Sequence, residues 1–295
     1  MGRGELYHVE FNPRPIMIRS ALLLFSLSLG LQAQVVIQKG EKVAFLGDSI
    51  TQAGARPGGY CNLVIEALNK KGLEVKPVYA GISGHKSNQM LARLDKDVIA
   101  HKPQWMTLSC GVNDVWHGKR GVELEDYKKN ITQIIDKAKA AGINVIVLTS
   151  TMIREDQSNE LNQKLQSYNN FLRQISKEKQ CRLADLNKLM QETVKTMEKN
   201  SKGNTVTTDG VHMNSAGNMM MAKGVLEVIG FTKAEIEAAE KDWDNIPNTN
   251  NVRVNIGLSN AEMRALTEAA KAQEKSVQQL FTEAMEAKKG ELLAK

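Results

Sequence analysis

The sequence predicts an α/β fold, with a parallel β-sheet covered by helices on both faces. Three observations lead there. Between residues 42 and 230, short apolar runs alternate with longer segments of helical spacing, the signature of βαβ units. The apolar runs are near-continuous, as in Ile143-Asn-Val-Ile-Val-Leu148, which suits strands buried on both faces. The turns after the first three strands are evenly spaced. Ser49 and Gly81 lie 32 residues apart, as do Gly81 and Asn113, one strand plus one right-handed crossover each.

Residues 42–47 form the first apolar run and read as a buried strand. Residues 60–71 have helical spacing and stop at Gly72. Residues 73–80, with Val75, Val78 and Tyr79, read as the second strand. Residues 87–101 read as a helix that ends before Pro103. Residues 104–110 form the third strand. Residues 124–141 form a helix with Ile131, Ile134, Ile135 and Ala138 on one stripe, stopped at Gly142. Residues 143–148 are the fourth strand, 159–179 a long helix, 181–186 the fifth strand and 186–199 another helix. Residues 215–229 close the block as its last helix.

Before this block, Arg14 and Arg19 precede an apolar run from Ala21 to Leu31, and Ala33 offers a small residue for cleavage. That order is the order of a secretory signal, and eleven residues are too few to span a bilayer. We therefore expect residues 1–33 to be an export signal, with Met17 as a possible start, and the product to be secreted or periplasmic. The expected organisation is 1–33 signal, 34–230 the α/β domain and 231–295 a helical extension. In the extension, Thr232-Lys-Ala-Glu235 and Ser259-Asn-Ala-Glu262 both have the form of a capping box. A late segment places Val277, Leu280, Phe281, Ala284 and Met285 on one helical face. Residues 232–295 thus offer a face for contact with the chain's own domain or with a partner.

Composition excludes several classes. The chain has 295 residues, 42% hydrophobic and 24% charged, which rules out wholesale disorder and multispan membrane proteins. The net charge of +6 comes from interleaved acids and bases with no run of five like charges, so no nucleic-acid partner is expected. Cys61, Cys110 and Cys181 have no metal spacing and read as buried free thiols, with a disulfide between two of them as the alternative.

Four short segments carry chemistry. Gly47-Asp48-Ser49-Ile50-Thr51 follows the first strand and Ala80-Gly81-Ile82-Ser83-Gly84 the second. Gly111-Val112-Asn113-Asp114 follows the third, and Asp209-Gly210-Val211-His212 lies in a loop after the fifth. Open parallel sheets bind ligands beyond the carboxyl ends of their strands. With strand order 2-1-3-4-5, the first three loops meet at one place. Ser49 is a hydroxyl nucleophile if a base takes its proton. His212 is placed to be that base, and Asp209, three residues earlier, can aim its carboxylate at the second imidazole nitrogen. The N–H of Ser49, the N–H of Gly81 and the amide of Asn113 are donors able to converge on one oxyanion. Each has a plainer alternative: Ser49 and Asn113 as helix caps, Gly81 as a turn glycine, Asp209 and His212 as loop polar residues. Asp48 and Asp114 read as loop braces. His85 and His117 follow the second and third segments and can line a cleft. Trp116 either stacks on a sugar ring or packs. No Gly-x-Ser-x-Gly elbow, phosphate loop or His-Glu-x-x-His zinc motif occurs.

Together the four segments resemble those of the SGNH hydrolase superfamily, the GDSL-type lipases and esterases, with Ile50 in place of the leucine. The resemblance covers about residues 42–230. It implies a flavodoxin-like three-layer α/β/α sandwich with a five-stranded parallel sheet. It further implies nucleophile Ser49, acid–base pair His212 and Asp209, oxyanion donors Ser49, Gly81 and Asn113, and no cofactor or metal. The flanking Gly-Ile-Ser-Gly-His-Lys and Gly-Val-Asn-Asp-Val-Trp-His-Gly are closer to secreted carbohydrate acetylesterases than to lipases. The expected activity is hydrolysis of small acyl esters, acetyl above all, on a small molecule or a polysaccharide. Rival readings are a lysophospholipase or thioesterase of the same superfamily, and a non-catalytic glycan-binding protein on a hydrolase scaffold.

Overall fold

The computed structural model describes residues 1–2, 34–199, 203–247 and 256–294. Nearly all of the expected export signal lies outside the described residues. Among the described residues, β1 (Lys42–Gly47), β2 (Lys76–Gly81), β3 (Trp105–Ser109), β4 (Asn144–Leu148) and β5 (Arg182–Ala184) form one parallel sheet in the order β2-β1-β3-β4-β5. The chain reverses direction across the sheet between β2 and β3, so the switch point lies at the carboxyl ends of β1 and β3.

Helices α1 (Ser49–Gly54) and α2 (Tyr60–Lys70) follow β1, and α3 (Ser87–Asp97) follows β2. Helices α4 (Val112–Trp116) and α5 (Leu124–Ala140) follow β3. Helix α6 (Glu160–Glu178) joins β4 to β5, and α7 (Leu186–Thr196) and α8 (Ser215–Val228) come after β5. Helix α5 packs on both α3 and α6, and α8 packs on both α2 and α7. Right-handed crossovers place these groups on opposite faces of the sheet. The expected stripe of α5 is the core stripe: Ile131, Ile134, Ile135 and Ala138 are fully buried. Each buried isoleucine of this kind contributes about 1.5–3 kcal/mol relative to exposure.

Several boundaries differ from the sequence reading, each for a local reason. Strand β2 starts at Lys76 rather than at residue 73, because Glu74 has φ +51° and breaks the extended run. Asn69 then braces the chain from both sides of Val75, accepting from its N–H at 2.6 Å and donating to its carbonyl at 3.3 Å. Strand β5 is only three residues long, because left-handed Gln180 (φ +52°) precedes it and Asp185 already caps α7. The helix expected over 87–101 stops at Asp97, and Ile99–His101 is a separate 3-10 turn. The short helices α1 and α4 were not anticipated.

The chain divides into two compact units, residues 1–245 and 246–295, so the expected boundary at residue 230 moves fifteen residues on. The cause is α9 (Lys233–Trp243), which packs on α8 and buries Ala239 and Trp243. Lys71 and Lys70 pair with Glu235 and Asp242 of α9, and Lys223 with Glu240 at 2.7 Å. The second unit contains α10 (Asn260–Ala272) and α11 (Val277–Leu293). Both expected capping boxes form, at Thr232/Glu235 and Ser259/Glu262. The described residues include no buried side chain on α11.

Candidate active site

Strand β1 runs directly into the site. Gly47 ends the strand, Asp48 caps α1 by accepting from the Ile50 N–H at 2.9 Å, and Ser49 is the first helical residue. The turn is tight enough to demand glycine: a Cβ on Gly47 would lie 2.0 Å from Thr51 Oγ1. Ser49 is half-buried, between buried Asp48 and Ile50.

The loop between α7 and α8 brings the partners. Thr207 and Met213 pair as an antiparallel bridge, and the Thr208 N–H donates to the His212 carbonyl at 2.8 Å. Gly210, at φ +95°, makes the turn between them. Asp209 Oδ1 accepts from the N–H groups of Val211 and His212 at 3.0 and 2.8 Å. Its Oδ2 lies 2.7 Å from His212 Nδ1, and His212 Nε2 lies 2.9 Å from Ser49 Oγ. A carboxylate only accepts, so Nδ1 carries the hydrogen and Nε2 is left to accept from the serine hydroxyl. Burial pushes the Asp209 carboxyl up, but the His212 backbone and ring and the Val211 N–H outweigh it, and the net displacement is downward.

Gly81 and Asn113 meet the same turn. Gly81 pairs with Gly47 at the end of β2, and a Cβ there would lie 2.3 Å from the Gln52 backbone nitrogen. The first turn of α1 therefore rests on the Gly81 backbone. Asn113, buried on α4, directs Nδ2 to Asp48 Oδ2 at 3.3 Å and to the His85 carbonyl at 3.2 Å.

The model of the GDSL-like Lipase/Acylhydrolase family matches residues 45–220. The chain belongs to this family, within the SGNH hydrolases. An acetylxylan esterase of Geobacillus stearothermophilus is 30% identical over 215 residues, covering 66% of this chain and 96% of that protein. Its crystal structure has a TM-score of 0.61 at 29% identity, covering 66% of this chain and 97% of that one. Catalytic mutants of that relative have also been solved at a serine and at an aspartate and a histidine three positions apart. A second acetyl xylan esterase, AlAXEase, has a TM-score of 0.59 at 34% identity, covering 63% of this chain and 98% of that one. Thioesterase 1/protease 1/lysophospholipase L1 of Escherichia coli is 31% identical over 108 residues, 37% of this chain and 50% of that protein. This SGNH family member is a carboxylic ester hydrolase.

Around the Ser49–His212 pair of this SGNH esterase lies a buried polar layer. Asp48 is buried, and desolvation lifts its pKa to about 6, against the opposing Ile50 N–H; nearby Asp114 adds to the rise. Asp114 accepts from the Ser87 N–H at 3.0 Å and from its hydroxyl at 2.6 Å, and so ties α4 to α3. Burial also raises its carboxyl, despite these bonds. Both acids brace loops, as their positions suggested. Arg93 was not singled out in the sequence. Its guanidinium donates to the Gly47 carbonyl at 2.9 Å, to His85 Nδ1 at 3.1 Å and to Asp97 at 3.1 Å. One signal was available: Arg93 interrupts the apolar face made by Met90 and Leu94 of α3. Glu155 was also missed; it binds the backbone of the 205–207 segment.

The weaker candidates lie close by. Burial, with the charges of Arg93 and Lys86, holds His85 below the usual histidine range. His117 Nδ1 lies 2.9 Å from the Asn113 carbonyl and must donate to it. Trp116 is 39% exposed, with its ring 6.1 Å from that of His117. Cys61 and Cys110 are buried, Cys181 is partly so, and all three are free thiols. No helix among the described residues is long and apolar enough to cross a membrane.

Proposed function

We propose that this esterase is secreted and removes acetyl groups from polysaccharide, with Ser49 as nucleophile. The observation that carries the proposal is the hydrogen-bond series Ser49–His212–Asp209, at 2.9 and 2.7 Å. The named activity of the acetylxylan esterase relatives supports the acetyl and glycan parts. In the Geobacillus stearothermophilus relative, the aspartate and histidine replaced in its catalytic mutants share the three-residue spacing of Asp209 and His212.

Ser49 Oγ attacks the ester carbonyl carbon while His212 Nε2 takes the hydroxyl proton. The carbonyl electron pair moves to oxygen, which becomes the tetrahedral oxyanion. Ser49 N–H, Gly81 N–H and the Asn113 amide are its proposed donors. Both Asn113 Nδ2 hydrogens already have acceptors at 3.2–3.3 Å, so the oxyanion must draw one from a long bond. A full negative charge competes well against a neutral carbonyl for that hydrogen. The intermediate collapses, the alkoxide leaves with the proton from Nε2, and an acetyl-Ser49 ester remains. Water then attacks it, giving its proton to Nε2, and acetate departs as Ser49 recovers its hydrogen. Asp209 stabilises the imidazolium at each stage. Trp116 is proposed as a stacking platform for a sugar ring, with His85 and His117 on the cleft wall.

The test is acetate release from acetylated xylan and other acetylated glycans, measured beside a series of acyl esters of increasing chain length. Acetyl preference with release from a glycan supports the proposal. Faster turnover of long acyl chains or acyl-thioesters would favour the lysophospholipase or thioesterase reading. Ser49→Ala should lose about 10³-fold or more of the rate. A folded Ser49→Ala variant with wild-type activity would remove Ser49 as nucleophile. If the wild type bound these glycans without cleaving any ester, the non-catalytic reading would replace this one.

A further inference from the structure

We propose that Glu155 is a positioning residue for the loop that carries Asp209 and His212. The inference rests on the catalytic reading of that pair. Glu155 lies beyond β4, on a different crossover from the loop it holds. Its Oε1 accepts from the Val206 N–H at 2.9 Å and from the Thr207 hydroxyl at 2.6 Å, and its Oε2 accepts from the Thr205 N–H. Three donors on two oxygens is the pattern of an acceptor-only carboxylate. Thr207 passes the constraint on, because its hydroxyl oxygen accepts from the Gly210 N–H at 3.1 Å. Gly210 is the turn between Asp209 and His212. The Arg154 N–H also donates to the Gly210 carbonyl at 2.6 Å, so the two loops are joined on both sides of the turn.

The anchor is itself fixed. Asn162, buried on α6, accepts from the Ile153 N–H at 2.8 Å and donates to the carbonyls of Ile153 and Asp156, each at 2.6 Å. Between these holds, Arg154 and Glu155 are both left-handed, at φ +63° and +50°. Two consecutive left-handed residues with side chains are strained, and such strain persists only where surrounding contacts over-determine it. Here it turns the Glu155 carboxylate toward the 205–207 backbone. The chain of constraint runs from α6 through Asn162, Glu155 and Thr207 to Gly210. It ends at the His212 ring, which must stay within hydrogen-bond reach of Ser49.

Glu155→Gln replaces one acceptor oxygen with an N–H₂ group that faces donors. Thr207→Val keeps the shape and removes the link to Gly210. Both are compared with wild type and Ser49→Ala as full chains, by kcat and KM on an activated acetyl ester. The low-field proton resonance of His212 Nδ1–H is recorded as well. We expect kcat to fall by about 10–10²-fold in both variants, since small misplacements of reacting groups have that effect, with KM changed by less than about threefold. The Nδ1–H resonance should shift or broaden in both, and persist in Ser49→Ala, where the Asp209 bond is intact. The proposal is overturned if folded variants keep kcat within about twofold with the resonance unmoved, or if only KM rises. If Glu155→Gln does not fold, Thr207→Val decides on the same readouts. Should Ser49→Ala stay active, the catalytic reading fails, while the resonance still reports whether Glu155 positions His212.

Discussion

Asp209 holds His212 at two points: Oδ1 accepts its backbone N–H at 2.8 Å, and Oδ2 takes the ring Nδ1 at 2.7 Å. One carboxylate thereby sets both the path of the chain and the plane of the imidazole. The pairing is partly exposed, so its contribution to stability is small; its value lies in orientation. Because the folded Asp209 carboxyl lies below its usual value, that contribution is present above about pH 4 and is lost as the pH falls further.

Asp209→Asn should keep one acceptor for the backbone but present a donor to Nδ1. The ring then favours the tautomer with hydrogen on Nε2, which cannot take the Ser49 proton. We expect kcat/KM to fall by about 10⁴-fold with little change in Tm. Steady-state kinetics beside thermal unfolding decide this, and an unchanged rate would exclude Asp209 from the mechanism.

Asn113→Ala should lower kcat by about 10²–10³-fold with a smaller change in KM, if its amide holds the oxyanion. The same substitution frees the Asp48 Oδ2 and the His85 carbonyl. A rise in KM alone would make Asn113 a ground-state binding residue.

Asp48 makes stability depend on pH in a direction opposite to Asp209. Its carboxyl rises from an unfolded value of 3.8 to about 6 when buried. Below about pH 4 it is protonated in both states. Between about 4 and 6 the unfolded chain releases the proton while the folded chain keeps it. Stability therefore falls as the pH rises through that window and levels off above it, by about 3 kcal/mol at about 1.36 kcal/mol per pH unit. Asp48→Asn keeps an acceptor for the Ile50 N–H and cannot ionise. Denaturant unfolding at pH 4 and pH 7 should show the variant gaining on wild type by up to about 3 kcal/mol at the higher pH. A difference independent of pH would mean that burial does not disfavour the Asp48 charge.

Gly81→Ala tests the floor under Ser49. The new Cβ would lie 2.3 Å from Gln52 N and 2.7 Å from Gln52 Cα, both backbone atoms of α1. The helix must move, and its first turn carries Ser49, the proposed nucleophile. We expect a loss of about 1–3 kcal/mol in stability and at least about tenfold in kcat. Wild-type Tm and kcat in this variant would show that α1 has room to spare.

The sequence showed the strands and the residues at their carboxyl ends because both signals are local. Apart from Asn144, residues 143–148 are apolar, and Ser49, Gly81 and Asn113 each sit at or just beyond the end of a strand. Asp209 and His212 are three residues apart, and one turn joins them. The reach of Arg93 to the Gly47 carbonyl, 46 residues away, and of Glu155 to partners 50–52 residues away left no local pattern to read. Helices α1 and α4 have six and five residues, too few to show a period. The place of α9 was hidden for another reason. Its capping box marks where the helix starts, but nothing local shows that Trp243 faces the core.

That last point yields a prediction about length. A chain ending at Asn245 keeps α9, with Ala239 and Trp243 in the core and Phe231 over the end of α8. It should fold and keep its esterase activity within about twofold. A chain ending at Gly230 loses all three side chains and the partners of Lys70, Lys71 and Lys223. The exposed pairs matter little, but emptying the Trp243 site alone costs about 3–5 kcal/mol. For a domain of this size that lowers Tm by about 10 °C or more. Thermal unfolding and acetyl ester hydrolysis of the two truncations check it. Equal Tm values would return the domain boundary to residue 230. Loss of activity at both lengths would place residues 246–295 within the working enzyme.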